Sequence, residues 1–327
     1  MTRARIAGVG AYVPPRVLTN AELAARVDTT DEWIVQRTGI RERHIADETE
    51  ATSDLAVAAA RQALARAGLA PEDVELIIVG TSRGDMPFPS TASFVQHKLG
   101  ARRAGAMDVF AACAGSVYSL SIGAQYIQTG KYRTVLTIGA ELYSRLVDWN
   151  DRATCILFGD GAAATVLRPA TDGSGILDAD LYSDGRHWEW LYVPGGGSKH
   201  PTSHETVDGR LHYLRMRGDE VFKAAVRMLA ESSLAILEKN GYAPEQVDLF
   251  IPHQANVRII EAVAKRLGVP MDRVVVDVDR YGNTASASVY LALEEAWSQG
   301  RVRPGDLVLL ASFGGGFTWG AALVQWS

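Results

Sequence analysis

Cysteine is scarce in this chain, two residues in 327. Two thiols cannot staple a small secreted scaffold, so a reducing compartment is the default expectation. Positive charge is not in excess: 33 Lys and Arg against 38 Asp and Glu leave a net charge of −5. That excludes a protein held to nucleic acid by bulk charge. Hydrophobic residues at 47% and charged residues at 22% exclude a disordered or fibrous chain. No unbroken apolar run of membrane-spanning length is present. The nearest, from Leu307 onward, is divided by Gly314-Gly315-Gly316 into Leu307–Phe313 and Phe317–Trp326, which read as two strands joined by a turn. Met1–Pro15 has only a brief apolar stretch ending at Pro14-Pro15, so no secretory leader is expected. His44, His97, His187, His200, His204 and His212 show no ligand spacing with the cysteines, so no metal site is expected. The expectation is a soluble cytoplasmic protein of two domains or one double unit, without membrane or nucleic-acid partners.

What is present is an alternation. Leu76–Gly80, Thr134–Ile138, Leu249–Ile251 and Leu307–Leu310 are short, apolar and rich in β-formers. Ser53–Ala67, Gly115–Thr129, Asp219–Asn240 and Ala285–Gln299 carry apolar residues at helical spacing. The class is therefore α/β, a parallel or mixed sheet with helices on its faces. The chain also repeats itself. Gly68-Leu-Ala-Pro-Glu-Asp-Val-Glu-Leu76 is matched by Gly241-Tyr-Ala-Pro-Glu-Gln-Val-Asp-Leu249, Ser116-Val-Tyr118 by Ser288-Val-Tyr290, and Phe158-Gly-Asp-Gly161 by Phe313-Gly-Gly-Gly316. Three matches in one order point to a duplicated unit, with halves 1–170 and 171–327 and extra residues in the first half around Glu141–Cys155. Ligands of open α/β sheets bind beyond the carboxyl ends of strands, so two related halves can bring two such ends into one cleft. Gly159-Asp-Gly-Ala-Ala-Ala164 formally matches a dinucleotide fingerprint, but Pro169 leaves no room for the helix that fingerprint needs.

The chemistry-bearing candidates sit just after strands. Cys113, in Asp108-Val-Phe-Ala-Ala-Cys-Ala-Gly-Ser116, directly precedes a helix whose positive end is expected to lower the thiol pKa. The alternative is an inert buried thiol, a role that Cys155 fits better. His253 ends a strand in His253-Gln-Ala-Asn256, where the first half has Gly80, and reads either as a hydrogen-bond donor and proton shuttle or as a helix cap. Asn283, in Tyr281-Gly-Asn-Thr, reads either as an amide donor to a substrate carbonyl or as a helix N-cap. Gly314-Gly315-Gly316 offers a backbone N–H to an oxyanion, or makes a plain turn.

Together, Cys113, His253 in His-Gln-Ala-Asn, Asn283 in Gly-Asn-Thr, Phe-Gly-Gly-Gly-Phe-Thr-Trp-Gly at 313–320 and Asp31-Glu-Trp-Ile-Val-Gln-Arg-Thr-Gly-Ile-Arg-Glu-Arg43 closely resemble the β-ketoacyl-acyl carrier protein synthase III family, over the whole chain. The resemblance implies a thiolase fold of duplicated βαβαβαββ halves in five αβαβα layers. It implies an acyl-Cys113 intermediate loaded from an acyl-CoA primer, acetyl-CoA above all. Condensation with decarboxylating malonyl-acyl carrier protein (malonyl-ACP) follows, initiating fatty acid synthesis in a homodimer without a cofactor. His253 and Asn283 would hold the enolate, and the N–H groups of Cys113 and Gly315 the oxyanion. Trp33 and Arg152 would sandwich the adenine, with Arg37 near the CoA phosphates and Gly218 and Asn256 along the pantetheine path. Leu191 borders the acyl pocket, as does Phe88 across the dimer interface. Lys223, Arg258, Lys265 and Arg266 form a basic set suited to an acidic carrier protein, or else a plain solvated helix face.

Trp188 and Trp190 depart from the smaller residues of the family and either narrow the acyl tunnel or pack outside it. The competing readings are a relative that takes an unusual acyl starter in secondary metabolism, a Cys–His thioester hydrolase, which leaves Asn283 without a task, and a non-catalytic acyl-CoA or carrier-protein scaffold.

Overall fold

A computed structural model describes residues 2–327. Nine strands form two sheets. The first holds β1 (Ala4–Tyr12), β2 (Leu76–Gly80), β3 (Gly105–Val109), β4 (Val135–Leu142) and β5 (Asp160–Pro169), in the order β1-β5-β4-β2-β3. The second holds β6 (Gly175–Ser183), β7 (Leu249–Pro252), β8 (Leu307–Gly314) and β9 (Thr318–Gln325), in the order β6-β9-β8-β7. Strands β2 and β4 run parallel, as do β7 and β8, and the β5 and β9 pairings are antiparallel. The second sheet thus repeats the order and directions of the first, lacking only a counterpart of β3.

The helices follow the same repeat. Those that build the layers are α2 (Thr52–Ala67), α3 (Thr91–Leu99), α4 (Gly115–Gln128), α5 (Gly218–Lys239), α6 (Val257–Leu267) and α7 (Ser288–Ser298), and α1 (Asp31–Thr38) lies at the cavity mouth. Helices α2 and α3 cover the outer face of the first sheet, and α5 and α6 that of the second. Helix α4 packs against strands of both sheets, with α7 beside it, giving five layers in the order αβαβα. Burial on both faces explains why β2 and β4 show no apolar–polar alternation and are buried along their whole length, Thr137 and Glu141 of β4 included. Gly68 and Gly241, with φ of +66° and +76°, turn the chain out of α2 and α5 at matching places in the repeat.

The halves meet through glycine. Gly80 and Gly139 are register partners in β2 and β4. A Cβ on Gly80 would lie 2.6 Å from the Gly115 carbonyl carbon, and one on Gly139 would lie 2.2 Å from the Ser286 carbonyl oxygen. The starts of α4 and α7 therefore press directly onto the ends of first-sheet strands. Before each helix stands a short 3-10 turn, Ala112–Ala114 and Ala285–Ala287. Ala112 and Ala285 take φ of 46° and 47° there, a left-handed conformation unfavourable for alanine. The same strained turn in both halves marks the place where the chain is bent to deliver Cys113.

The expected elements are found with shifted ends. The strand read at Thr134–Ile138 runs on to Leu142 and carries Glu141, and the helix read from Ala285 starts as a 3-10 turn and becomes α-helical at Ser288. The residues of the formal dinucleotide fingerprint run into the buried strand β5, with no helix after them. The connection from β4 to β5 spans 143–159, whereas β8 reaches β9 through three residues.

Candidate active site

Cys113, His253 and Asn283 line one cavity of about 1060 Å³. Cys113 is the middle residue of its 3-10 turn, and the second half clamps that turn from beneath. Ser312 Oγ donates to the Cys113 carbonyl at 2.7 Å and Thr318 Oγ1 to the Ala111 carbonyl at 2.7 Å. Gly314 lies so close that a Cβ there would stand 2.5 Å from the Cys113 nitrogen. Gly315, next to it, lines the cavity, and its N–H has no hydrogen-bond partner among the described residues. The thiol departs from expectation in one respect. It does stand at a helix start, but it is only 4% exposed. Burial, reinforced by the nearby Glu141 carboxyl, pushes its pKa well above the ordinary thiol range. Desolvation outweighs the helix end here. Cys155 is fully buried and pushed up to about 11, as an inert thiol.

His253 follows β7, and its N–H donates to the Ala311 carbonyl at 2.8 Å, extending the β7–β8 ladder by one residue. Its Nδ1 lies 2.6 Å from Ser288 Oγ at the start of α7. Ser288 Oγ also accepts the Gln254 N–H at 3.4 Å, so it ties the ring to the backbone of the next residue. Burial lowers the His253 pKa to about 3, so the ring is neutral at physiological pH. Asn283 caps the turn that follows it through its side-chain oxygen. Its Oδ1 accepts the Ala285 N–H at 2.9 Å, while its Nδ2 has no partner among the described residues. Its backbone is held by Leu157 and Gly159.

One acidic group escaped the sequence reading. Glu141, fully buried at the end of β4, accepts the Ser82 N–H at 3.0 Å and the Ser82 and Thr81 hydroxyls at 3.1 and 3.4 Å. Its pKa is pushed up to about 8 by burial, against the pull of those donors. The only signal in the sequence is an acid one step beyond an apolar strand.

Arg37, Leu191, Gly218 and Asn256 line the same cavity as the three central residues. Asn256 is committed twice, donating to the Arg37 carbonyl at 3.0 Å and capping α6 through the Arg258 N–H. Trp33, Arg152 and Phe88 are not on the cavity wall. The guanidinium carbons of Arg37 and Arg152 lie 4.5 and 4.8 Å from the centre of the Trp33 ring. Arg152 thus occupies the face that a sandwiched base needs, held there by a 2.7 Å hydrogen bond to the Asp28 carbonyl. Phe88 is 85% exposed, and Met86 and Phe110 join it as large exposed apolar side chains. Lys223, Arg258, Lys265 and Arg266 are all exposed on α5 and α6, and none forms an ion pair among the described residues. The two tryptophans divide. Trp188 is on the cavity wall, while Trp190 packs outside it against His187 and Phe317. No cluster of three metal-ligating side chains and no helix long and apolar enough to cross a membrane occurs among the described residues.

The five-layer duplicated fold is that of the thiolase-type acyltransferases. Residues 107–185 match the family described as 3-oxoacyl-[acyl-carrier-protein] synthase III, and residues 237–326 match its C-terminal part. The chain is 54% identical to the β-ketoacyl-[acyl-carrier-protein] synthase III of Rhodospirillum centenum over 99% of each chain. It is 53% identical to that of Symbiobacterium thermophilum over 98% of this chain and 97% of the relative. The crystal structure of 3-oxoacyl-[acyl-carrier-protein] synthase III from Aquifex aeolicus is 47% identical and superposes with a TM-score of 0.92, covering 99% of this chain and all of the other. The chain belongs to the β-ketoacyl-acyl carrier protein synthase III family.

Proposed function

We propose that the protein joins an acyl-CoA primer, acetyl-CoA above all, to malonyl-ACP, giving a 3-oxoacyl-ACP, CoA and CO2 and so initiating fatty acid synthesis. The observation that carries this reading is the convergence on one cavity of a cysteine from the first half with a neutral histidine and a free amide from the second.

In the first step the Cys113 sulfur bonds to the acyl carbon, the bond from that carbon to the CoA sulfur breaks, and the thiol proton leaves with CoA. Exchange of one thioester for another is nearly balanced in energy, so the acyl group is held without a deep trap. In the second step the malonyl C–C bond to the carboxylate breaks, CO2 departs, and the electron pair becomes an enolate on the thioester oxygen. His253 Nε2–H and Asn283 Nδ2–H donate to that oxygen. The enolate carbon then attacks the acyl-Cys113 carbonyl, whose oxyanion is received by the N–H groups of Cys113 and Gly315. Removing one such donor typically costs about 10²–10³ in rate. Collapse breaks the C–S bond, and Cys113 regains a proton from solvent. Arg37, with Trp33 and Arg152, would receive the nucleotide end of CoA, with Arg152 first moving off the indole. Gly218 and Asn256 would border the pantetheine, Leu191 the acyl chain. The basic residues of α5 and α6 would dock the carrier protein.

A cytoplasmic homodimer completes the proposal. Strand β3 is an unpaired sheet edge, and the exposed Met86, Phe88 and Phe110 belong to segments beside it. A second copy seated there would bring its Phe88 to the acyl pocket. No cofactor is needed for any step.

The test is intact-protein mass after mixing with acetyl-, isobutyryl- and medium-chain acyl-CoAs, with Cys113→Ala as control. A Cys113-dependent adduct of acetyl mass is expected. No adduct would contradict the acyl-enzyme, and an adduct only with other starters would favour a role in secondary metabolism. His253→Ala should still load but slow malonyl decarboxylation by roughly 10²-fold or more. Equal loss of both half-reactions would contradict the division of roles.

A further inference from the structure

Glu141 has no task in the steps above, yet it lies where it must affect them. Residues 139 and 141 share one face of β4, because side chains alternate along a strand. On that face Gly139 admits the Ser286 backbone, and its neighbour Gly80 admits Gly115 at the start of the Cys113 helix. The Glu141 side chain therefore points into the seam where both helix starts meet the sheet. Its hydrogen-bond partners Thr81 and Ser82 line the active cavity, as does Tyr143, whose hydroxyl donates to Ser82 Oγ at 3.2 Å. The titratable groups that face it are Cys113, from the turn before α4, and Tyr143, just past the end of β4. Glu141 contributes to the upward push on both. From the β2 end come the Thr81 and Ser82 hydroxyls and the Ser82 N–H, and from the turn before α7 the Ser286 hydroxyl, none of them a titrating group. No Lys, Arg or His pairs with it among the described residues. Two buried acids thus share one seam with no cation between them, and like charges in such a place cannot both form cheaply.

We propose that Glu141 is a positioning residue for acyl transfer to Cys113. Its carboxyl form permits the thiol to ionise and its carboxylate form opposes ionisation, while its bonds to Thr81 and Ser82 hold the cavity wall beside the sulfur. The inference rests on Cys113 being the acylated residue. Loading therefore begins from the protonated Glu141, and the proton that leaves with CoA comes from Cys113, not from the carboxyl.

The experiment compares the pH dependence of Cys113 alkylation by iodoacetamide in the wild type and in Glu141→Gln, read by mass at the Cys113 peptide with Cys155 as reference. Removing the like charge should move the midpoint for Cys113 down by about one pH unit or more. The pH profile of acyl-CoA loading should move with it, whereas a merely structural loss would lower the rate at every pH and leave the midpoint in place. Coincident midpoints in folded Glu141→Gln overturn the proposal. If that variant does not fold, Ser82→Ala serves. Losing a donor makes Glu141 hold its proton to higher pH, so the Cys113 midpoint should again fall, and an unmoved midpoint overturns the proposal. Alkylation needs no acyl-CoA, so its outcome is separate from whether Cys113 carries the acyl group.

Discussion

At the residue scale, the site is made of groups whose ordinary ionisation is suppressed. Burial keeps His253 neutral and Glu141 protonated, and the two act in opposite directions on stability. For His253 the folded pKa of about 3 lies below the ordinary 6.5, so the unfolded chain binds a proton the native state excludes. Its contribution is complete above about pH 6.5 and is lost as pH falls toward 3. For Glu141 the folded value of about 8 lies above the ordinary 4.5, so the native state keeps a proton the unfolded chain releases. Its contribution is complete below about pH 4.5 and is lost as pH rises toward 8. Between pH 6.5 and 8 the His253 contribution is constant, and Glu141 acts in the same direction as Asp277, whose buried carboxyl is also pushed well above its ordinary value. Urea denaturation across that range should show wild-type stability declining, and Glu141→Gln should make the decline less steep by at most about 1.4 kcal/mol per pH unit. A wild-type curve as level as the variant's would contradict a proton held by Glu141. The sequence made Cys113 and His253 visible because each follows a strand in a repeat whose other copy lacks it, and Asn283 because it lies opposite Cys113 in that repeat. Glu141 stayed hidden because a buried acid inside an apolar strand carries no periodic signal, and its partners Thr81 and Ser82 lie about 60 residues away. The lowered thiol pKa was misjudged for a related reason, since a helix start is legible in sequence and depth of burial is not.

At the scale of elements, helices α2, α4, α5 and α7 were legible, with β2, β4, β7, β8 and β9, and the other helices and the remaining strands were not. Thr52–Ala67 and Gly218–Lys239 have a clear helical period and a glycine stop, so their ends fall within a residue of expectation. Strands β1, β3, β5 and β6 were not read as strands. β1 contains Gly8 and Gly10, where a Cβ would lie 2.2 and 2.3 Å from carbonyl oxygens of α2, so close packing has replaced the β-formers that announce a strand. Helix α6 shows what position adds to composition. Its buried side holds Ile259, Ile260, Val263 and Leu267, which leaves Arg258, Lys265 and Arg266 exposed beside Lys223 of α5 without acidic partners. Lys265→Glu combined with Arg266→Glu is expected to raise the KM for malonyl-ACP several-fold while leaving that for acyl-CoA in place, as charge reversal on a docking face acts on encounter with the acidic partner. Steady-state kinetics with each substrate varied in turn would check this, and unchanged carrier-protein kinetics would remove the docking role.

At the scale of the whole molecule, the duplication read from three short matches reappears as two sheets with one strand order and two strained alanine turns. The sheets draw their strands from residues 4–169 and 175–325. What the repeat did not announce is where the copies diverge in use: the first copy's strained turn holds a thiol and the second's holds Ser286, which donates to the Gly80 carbonyl at 2.8 Å and serves the seam. Phe88→Asp should convert the proposed dimer to a monomer, seen by light scattering after size exclusion, and should lower acyl loading in proportion. A variant that remains dimeric with an intact acyl pocket would place the interface elsewhere.

In the seam a methyl group at Gly80, Gly139 or Gly314 would overlap backbone atoms, and one at Gly115 would press on Gly80 and Ser286. In evolutionary terms these positions are closed: drift there is purged before it is tested for function. Innovation in such a chain is driven outward, to the rim where Trp188 faces the cavity and Trp190 does not. A side chain traded at Trp188 reshapes the cavity wall while the two copies stay locked together at the seam.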